Sequence, residues 1–206
     1  MVLLAEPVVV VPESAVAHLP AGLSTRRQPG WQLAWRLMTG SWQVLPRATT
    51  EAPGLGFRQL IPYVVTWTGG PGHRQVFATR RLPASGEPRL HGLVSIGIGG
   101  HMNPVAGCTD LGQLLAENAR REMAEEVSGW PPGIILPQPT ALLRLDDSDV
   151  DRVHLGAVIP LRLPTAPPLQ VLEADKLAGN WKPLAALRQL QLETWAALLT
   201  ASDGWW

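Results

Sequence analysis

The chain is short of several features that would assign a class early. It holds a single cysteine, Cys108, in 206 residues. That excludes an intrachain disulfide and fits a reducing, cytoplasmic setting. Cys108 also lacks the surroundings of a nucleophile and reads as incidental. Neither sign of charge is in excess: 17 basic side chains face 17 acidic ones, with no cluster of Lys and Arg. A stable nucleic-acid complex needs a concentrated basic face and is not expected. Long apolar runs are missing too. The opening Met1-Val2-Leu3-Leu4-Ala5 has no basic start and runs into Glu6, Pro7 and Pro12, so neither a signal peptide nor a membrane span is expected.

Proline, glycine and tryptophan, by contrast, are well supplied. Twenty prolines and twenty glycines cut the chain into short elements. Nine tryptophans read as core or subunit interface rather than base-stacking platforms, and they permit a homodimer. The length fits one domain spanning residues 1–206, with an elaborated N-terminal segment of about residues 1–56. Residues 8–11 are β-branched and read as an early strand. Residues 21–56 have poor periodicity, with Trp31, Leu33, Trp35 and Trp42 expected inside. Residues 63–67 and 75–79 read as two strands joined by the turn Gly69-Gly70-Pro71-Gly72. A strand is expected over 93–98, after a turn-rich stretch with Pro83, Gly86 and Pro88. Residues 141–145 and 153–163 read as a hairpin with an acidic tip at 146–151. A linker at 164–168, a short strand at 169–172 and a helix over 183–199 complete the chain.

The most informative stretch lies in the middle. Thr109 or Asp110 offers an N-cap oxygen, a helix-forming run begins at Leu111, and Leu115, Ala119, Met123 and Val127 give it an apolar stripe. Gly129, followed by Trp130-Pro131-Pro132, stops it. Near its end, Arg121-Glu122-Met123-Ala124-Glu125-Glu126 places carboxylates at i, i+3 and i+4, which project from one helical face. Carboxylates that close repel one another unless a cation sits among them, and an all-oxygen set suits Mg²⁺ or Mn²⁺. The alternative is a solvated acidic face. Glu126 falls at the edge of the apolar stripe, where a carboxylate is partly desolvated and needs a partner.

With the glycines of Ile96-Gly97-Ile98-Gly99-Gly100-His101 upstream, this pattern resembles the Nudix hydrolases. Their signature is a glycine, five residues, a glutamate, seven residues, then Arg-Glu-apolar-x-Glu-Glu-x-Gly-apolar. Gly107, Gln113 and Arg121-Glu122-Met123-Ala124-Glu125-Glu126 keep every spacing. Gln113 stands where the first glutamate belongs, and Ser128 where the glycine belongs, with Gly129 one place later. In a second register Gly100 is the signature glycine, and the residues through Gly107 are a loop insertion. Residues 57–63, Glu87-Pro88-Arg89-Leu90, 95–103 and Val153-His154-Leu155-Gly156 are similar to a bacterial MutT-type branch called predicted phosphoesterases.

The resemblance implies an α/β/α sandwich of the α+β class, with a mixed sheet between helices. Strands grouped around a central helix and closed by a C-terminal helix suggest the same arrangement independently. It also implies a pyrophosphohydrolase that uses Mg²⁺, or Mn²⁺, to cleave a diphosphate linkage in a nucleotide or nucleoside diphosphate derivative. The alternatives are a Nudix-fold module that binds a nucleotide or metabolite without cleaving it, and a metal-assisted phosphomonoesterase. Glu122, Glu125 and Glu126 are then the metal ligands, with Glu173, ahead of Trp181-Lys182-Pro183-Leu184, as a further candidate. Arg121 is implied to orient a carboxylate, and Gln113 can accept a hydrogen bond from it but supplies no charge. Gly99 and Gly100, lacking a Cβ, let the backbone approach metal or phosphate. His101 is a candidate phosphate contact, and Arg81, with Arg80, a candidate contact for an anionic leaving group.

Overall fold

The computed structural model describes residues 6–84, 90–202 and 205–206. Residues 1–5 and the Glu87-Pro88-Arg89 segment lie outside them. The sheet is organised on β4, Phe57–Thr68. Leu60 and Val64 point into one buried cluster, while Tyr63 and Val65 point into the other. That alternation is what a strand covered on both faces requires. β10, His154–Arg162, runs parallel to β4 from His154 opposite Gln59 to Arg162 opposite Trp67. β9, Ala141–Arg144, is antiparallel to β10, and β2, Gly22–Thr25, lies beyond it.

Along its other edge β4 meets three strands in turn. β1, Pro7–Pro12, pairs with its start and with β3, Gln43–Pro46. β7, Gly97–Ile98, pairs with Val64 and Val65. β5, Gln75–Arg81, pairs with its end and carries β6, Val94–Ser95, and β12, Leu177–Pro183. Among the described residues these ten strands form one mixed sheet. α1, Pro29–Ser41, and α2, Leu111–Glu126, cover one face. The other face is covered by α5, Thr194–Ala201, together with the fully buried Trp205. The result is the expected α/β/α arrangement. Among the described residues no helix is long and apolar enough to cross a membrane.

Several local expectations need correction. The strand expected over 93–98 is two short pieces, because the chain changes partner from β5 to β4 at the buried Ile96. The helix expected over 183–199 is instead the end of β12, a single turn α4 at Leu184–Leu187, and α5. β12 went unread because Leu177-Ala178-Gly179-Asn180-Trp181-Lys182-Pro183 has no β-branched residue and includes Gly, Asn and Pro, which strands disfavour. Residues 21–56 contain β2, α1 and β3, and α1 buries only Ala34 and Met38. Leu33 is therefore exposed and Trp31 and Trp35 stack on each other at 5.5 Å, half-buried rather than inside. α2 ends at Glu126, short of Gly129, and Val127–Ser128 form a strand, β8, paired with β11, Gln170–Val171. The acidic tip at 146–151 contains a short helix, α3, Asp149–Val153, capped by Ser148.

One charge ties the N-terminal segment to the sheet. Arg58, only 3% exposed, pairs with Glu13 and Asp146 and donates to the carbonyls of Leu145, at 2.9 Å, and Asp151, at 3.0 Å. Removing the guanidinium takes the donor from the Leu145 carbonyl and leaves Glu13 and Asp146 with Arg144 as their remaining cation. Arg58→Met is expected to lower the unfolding free energy by about 3 kcal/mol in urea denaturation. Arg152→Ala, which breaks an exposed pair with Asp149, is expected to cost less than about 0.5 kcal/mol.

Candidate functional site

α2 opens on the expected cap, the Asp110 carboxylate accepting from the Gln113 N–H at 2.8 Å. Its stripe of Leu115, Ala119 and Met123, extended by Val127 just beyond its end, is buried as expected. Two polar side chains lie on the same side, Asn118 at 2% and Glu122 at 8% exposure. Glu122 is thus a carboxylate pressed into the protein. Glu126 is half-buried, and Glu125 reaches solvent.

Arg121 ties these groups together. Its Nη2 donates to Glu122 Oε1 and to the His101 carbonyl, each at 2.7 Å, and its Nη1 donates to Glu125 Oε2 at 3.0 Å. Opposite lies the glycine loop that follows β7. A Cβ on Gly100 would stand 2.6 Å from both Glu122 carboxylate oxygens, and one on Gly99 would overlap the Pro62 carbonyl. At Gly99 the neighbour is backbone, so only glycine fits; at Gly100 a Cβ would push the Glu122 carboxylate aside. The loop is fixed from below by Asn118, which accepts from Asn103 N at 2.8 Å and donates to Asn103 O at 2.9 Å. From the N-terminal side, Val9 N donates to Met102 O at 2.8 Å, and the Asn103 amide donates to Glu6 Oε1 at 2.9 Å.

The remaining expected residues fall around this core. Glu126 has a carboxyl pushed up to about 7, first by burial and then by the charge of Glu122; Arg81 opposes the shift, and Glu173 and Glu125 add to it. Burial also raises the Glu122 carboxyl, against the pull of Arg121. Glu173 is brought alongside by the Leu172 N–H, which donates to the Glu126 carbonyl at 2.8 Å, and its carboxylate accepts from Lys176 at 2.7 Å. Arg81 ends β5 and donates to Glu193 at 3.1 Å. Arg80 is exposed. The His101 ring is held down to about 4, chiefly by burial and next by the Arg47 guanidinium. Gln113 is exposed in the first turn of α2, beside Gly107 and Cys108, while the side-chain partners of Arg121 among the described residues are Glu122, Glu125 and Asn118. Ser128 takes an extended backbone paired with Gln170, and Gly129, at φ +85°, provides the close approach, to the Pro168 carbonyl.

As the side chains stand, no group of three or more His, Cys, Asp or Glu residues among those described converges tightly enough to hold a metal ion. The donor set nevertheless fits a hard dication. Glu122 and Glu125 share one guanidinium, Glu126 has no share in it, and burial drives Glu122 and Glu126 towards protonation, which a divalent cation would oppose. Sequence reading missed Asn118, Asn103, Glu6, Arg47 and Glu193. Asn118 was findable, since it falls seven residues after Leu111 on the buried side of α2.

No family model matches the chain. It is 34% identical to the protein YmaB of Bacillus subtilis (strain 168) over 144 residues, 68% of each chain. Among solved structures it is similar to Tm1382, described there as a Nudix hydrolase, with a TM-score of 0.71 and 24% identity over 95% of this chain and 97% of that one. It is also similar to the Nudix domain of Shewanella oneidensis NrtR, solved with ADP-ribose, with a TM-score of 0.52 and 21% identity over 70% of this chain and 84% of that one. The α/β/α sheet, with the Arg-Glu-x-x-Glu-Glu helix packed on a glycine loop, is the fold of the Nudix hydrolases. The chain belongs to the family of YmaB.

The Glu126 carboxyl gives a test that needs no substrate. Its folded value of about 7 lies above the ordinary 4.5, so the folded state keeps a proton that the unfolded state releases. The associated stability is present below about pH 4.5 and is lost as pH rises through 7. In metal-free buffer, urea unfolding of the wild type is expected to lose stability relative to Glu126→Gln across this window. Parallel pH curves for the two proteins would refute the assignment.

Proposed function

We propose that the protein is a Mg²⁺-dependent Nudix hydrolase that cleaves a diphosphate linkage in a nucleotide or nucleoside diphosphate derivative. The observation that carries this reading is the packing of Glu122 under Gly100, with Arg121 bridging Glu122 to Glu125. A structural helix gains nothing from pushing a carboxylate against bare backbone, since burying charge costs free energy. The charge is useful where an anionic substrate must be held by cations.

Glu122, Glu125 and Glu126 would hold the ion, with Glu173 as a further candidate. When bound, Mg²⁺ or Mn²⁺ neutralises the diphosphate oxygens, polarises the phosphoryl group and orients water. Arg121 positions Glu122 and Glu125 and, through the His101 carbonyl, the glycine loop as well. Gly99 and Gly100 leave room for phosphate oxygens against the backbone. Arg81 supplies positive charge on the Glu126 side of the site, where a leaving group would depart. Solubility, a cytoplasmic location, a single domain and a small-molecule partner all accord with this reading. A second reading, a binder that does not cleave, draws on the engagement of both Glu122 and Glu125 by Arg121.

One screen separates them. Nucleoside di- and triphosphates, nucleotide sugars, dinucleotide polyphosphates and CoA derivatives are incubated with Mg²⁺ or Mn²⁺, and products are weighed by mass spectrometry. A monophosphate product is expected, with none in chelator. Glu125→Gln and Glu126→Gln are expected to lose more than the roughly 10–100-fold that loss of an outer-shell partner costs. Wild-type rates in both variants would refute hydrolysis at this site. Tight calorimetric binding with the ligand recovered intact would favour the binder, and release of inorganic phosphate from a monoester would favour a phosphomonoesterase.

A further inference from the structure

We propose that His101 and His154 form a binding site for a borderline transition-metal ion such as Zn²⁺, beside the acidic patch and chemically distinct from it. The two Nε2 atoms face each other at 3.4 Å. That is longer than the roughly 2.7–3.2 Å over which an N–H donates to oxygen. It matches the separation of two nitrogens that each lie about 2.0–2.1 Å from one tetrahedral ion, roughly 3.4 Å. The rings are tilted by 58° with centroids 5.5 Å apart, so their edges converge instead of stacking.

The tautomer at His154 is fixed by its other nitrogen. Nδ1 lies 2.7 Å from the Val150 carbonyl, which can only accept, so Nδ1 carries the proton. In the neutral ring the Nε2 lone pair then points towards His101. A ring N–H held by a backbone carbonyl is the usual outer support of a metal-bound histidine. Both residues are held by backbone contacts as well. His154 opens β10 opposite Gln59, and the His101 carbonyl is gripped by Arg121.

The strongest charge acting on both rings is the Arg47 guanidinium, which two carboxylates offset. Arg47 is the positive group facing the pair, and it lies between Glu6 at 3.3 Å and Glu51 at 2.7 Å, with Asp151 adding negative charge near His154. These carboxylates are already engaged, Glu6 by Asn103 and Arg47, Glu51 by Arg47, and Asp151 by Ser148. The protein therefore provides two imidazoles and leaves the other positions to water or to a phosphate oxygen. His154 also lines a cleft of about 260 Å³ together with Ile61, Val150, Glu193 and Trp195. Nitrogen ligands favour Zn²⁺, Co²⁺ and Ni²⁺, while the carboxylate set favours Mg²⁺ and Mn²⁺. The two sites would thus fill independently. The histidine site does not rest on the hydrolase reading, because it requires no substrate.

The test uses the metal alone. Zn²⁺ is titrated calorimetrically into the full chain in excess Mg²⁺, which occupies oxygen sites. One zinc equivalent is expected for the wild type and for Glu125→Gln, and binding at least about 10-fold weaker for His101→Ala and for His154→Ala. Imidazole ¹⁵N spectra of the unmutated protein provide a readout that is independent of variant folding. Of its five histidines, two should show Zn²⁺-dependent Nε2 shifts. Wild-type zinc binding in both alanine variants, or imidazole resonances unmoved by zinc, would overturn the site.

Discussion

The arrangement depends on the Arg121 guanidinium. It is the cation bonded directly to the acidic patch, and it reaches Glu122, Glu125 and the carbonyl of His101 together. Two carboxylates a few ångströms apart repel by several kcal/mol in a partly buried setting, about 4 kcal/mol at an effective dielectric of 20. One guanidinium shared between Glu122 and Glu125 offsets that repulsion and fixes both side chains. Its third bond crosses from the helix to the loop, so the charge balance of the patch and the position of the glycine backbone are set by the same group. Glu126 stands outside this arrangement, with a strongly raised carboxyl, which marks where a further positive charge is wanted.

The N-terminal segment braces the loop from the far side. β1 donates a backbone hydrogen bond to Met102, Glu6 accepts from Asn103, and Arg47 from beyond β3 pairs with Glu6. The loop therefore has α2 beneath it and the added segment at its flank. A loop with that many anchored backbone groups loses little further entropy when an anionic ligand settles on it. Arg58 completes the brace, joining Glu13 near the start of the chain to the connection between β9 and β10.

The sequence was readable where a local rule decides the outcome, and unreadable where distant partners do. The period-four stripe of α2, its Asp110 cap and the pairing of β5 with β4 follow from spacing and turn chemistry, and they were expected. β12 was not, because its residues carry no β-branched signal and its place beside β5 is set by distant pairing. The Trp31 and Trp35 pair misled for a related reason: tryptophan is large enough to pack against the core while remaining half in water. At the site, the three glutamates and Arg121 were legible from their helical spacing, and Gly100 from the motif. Asn103, Glu6 and Arg47 were not, since each contributes through a contact to residues far away in the chain. Within α2 the stripe rightly placed Glu126 in a partly desolvated position. It did not reveal that Glu122 is buried as well, because the approach of Gly100 is a long-range event.

The two departures from the family signature can be weighed on this basis. A glutamate at position 113 would offer Arg121 a third negative partner, yet Gln113 sits exposed in the first turn of α2, while Arg121 is already bonded to two carboxylates and a carbonyl. The missing charge is therefore not missed by the arginine, which is left wholly to Glu122 and Glu125. The displaced glycine is absorbed in a similar way. Ser128 pairs as an ordinary strand residue, and the left-handed turn with its close backbone approach moves to Gly129. Both substitutions fall where the structure has another means to the same end. No substitution falls on Glu122, Arg121 or Gly100, where a side chain's charge or its absence has no substitute nearby.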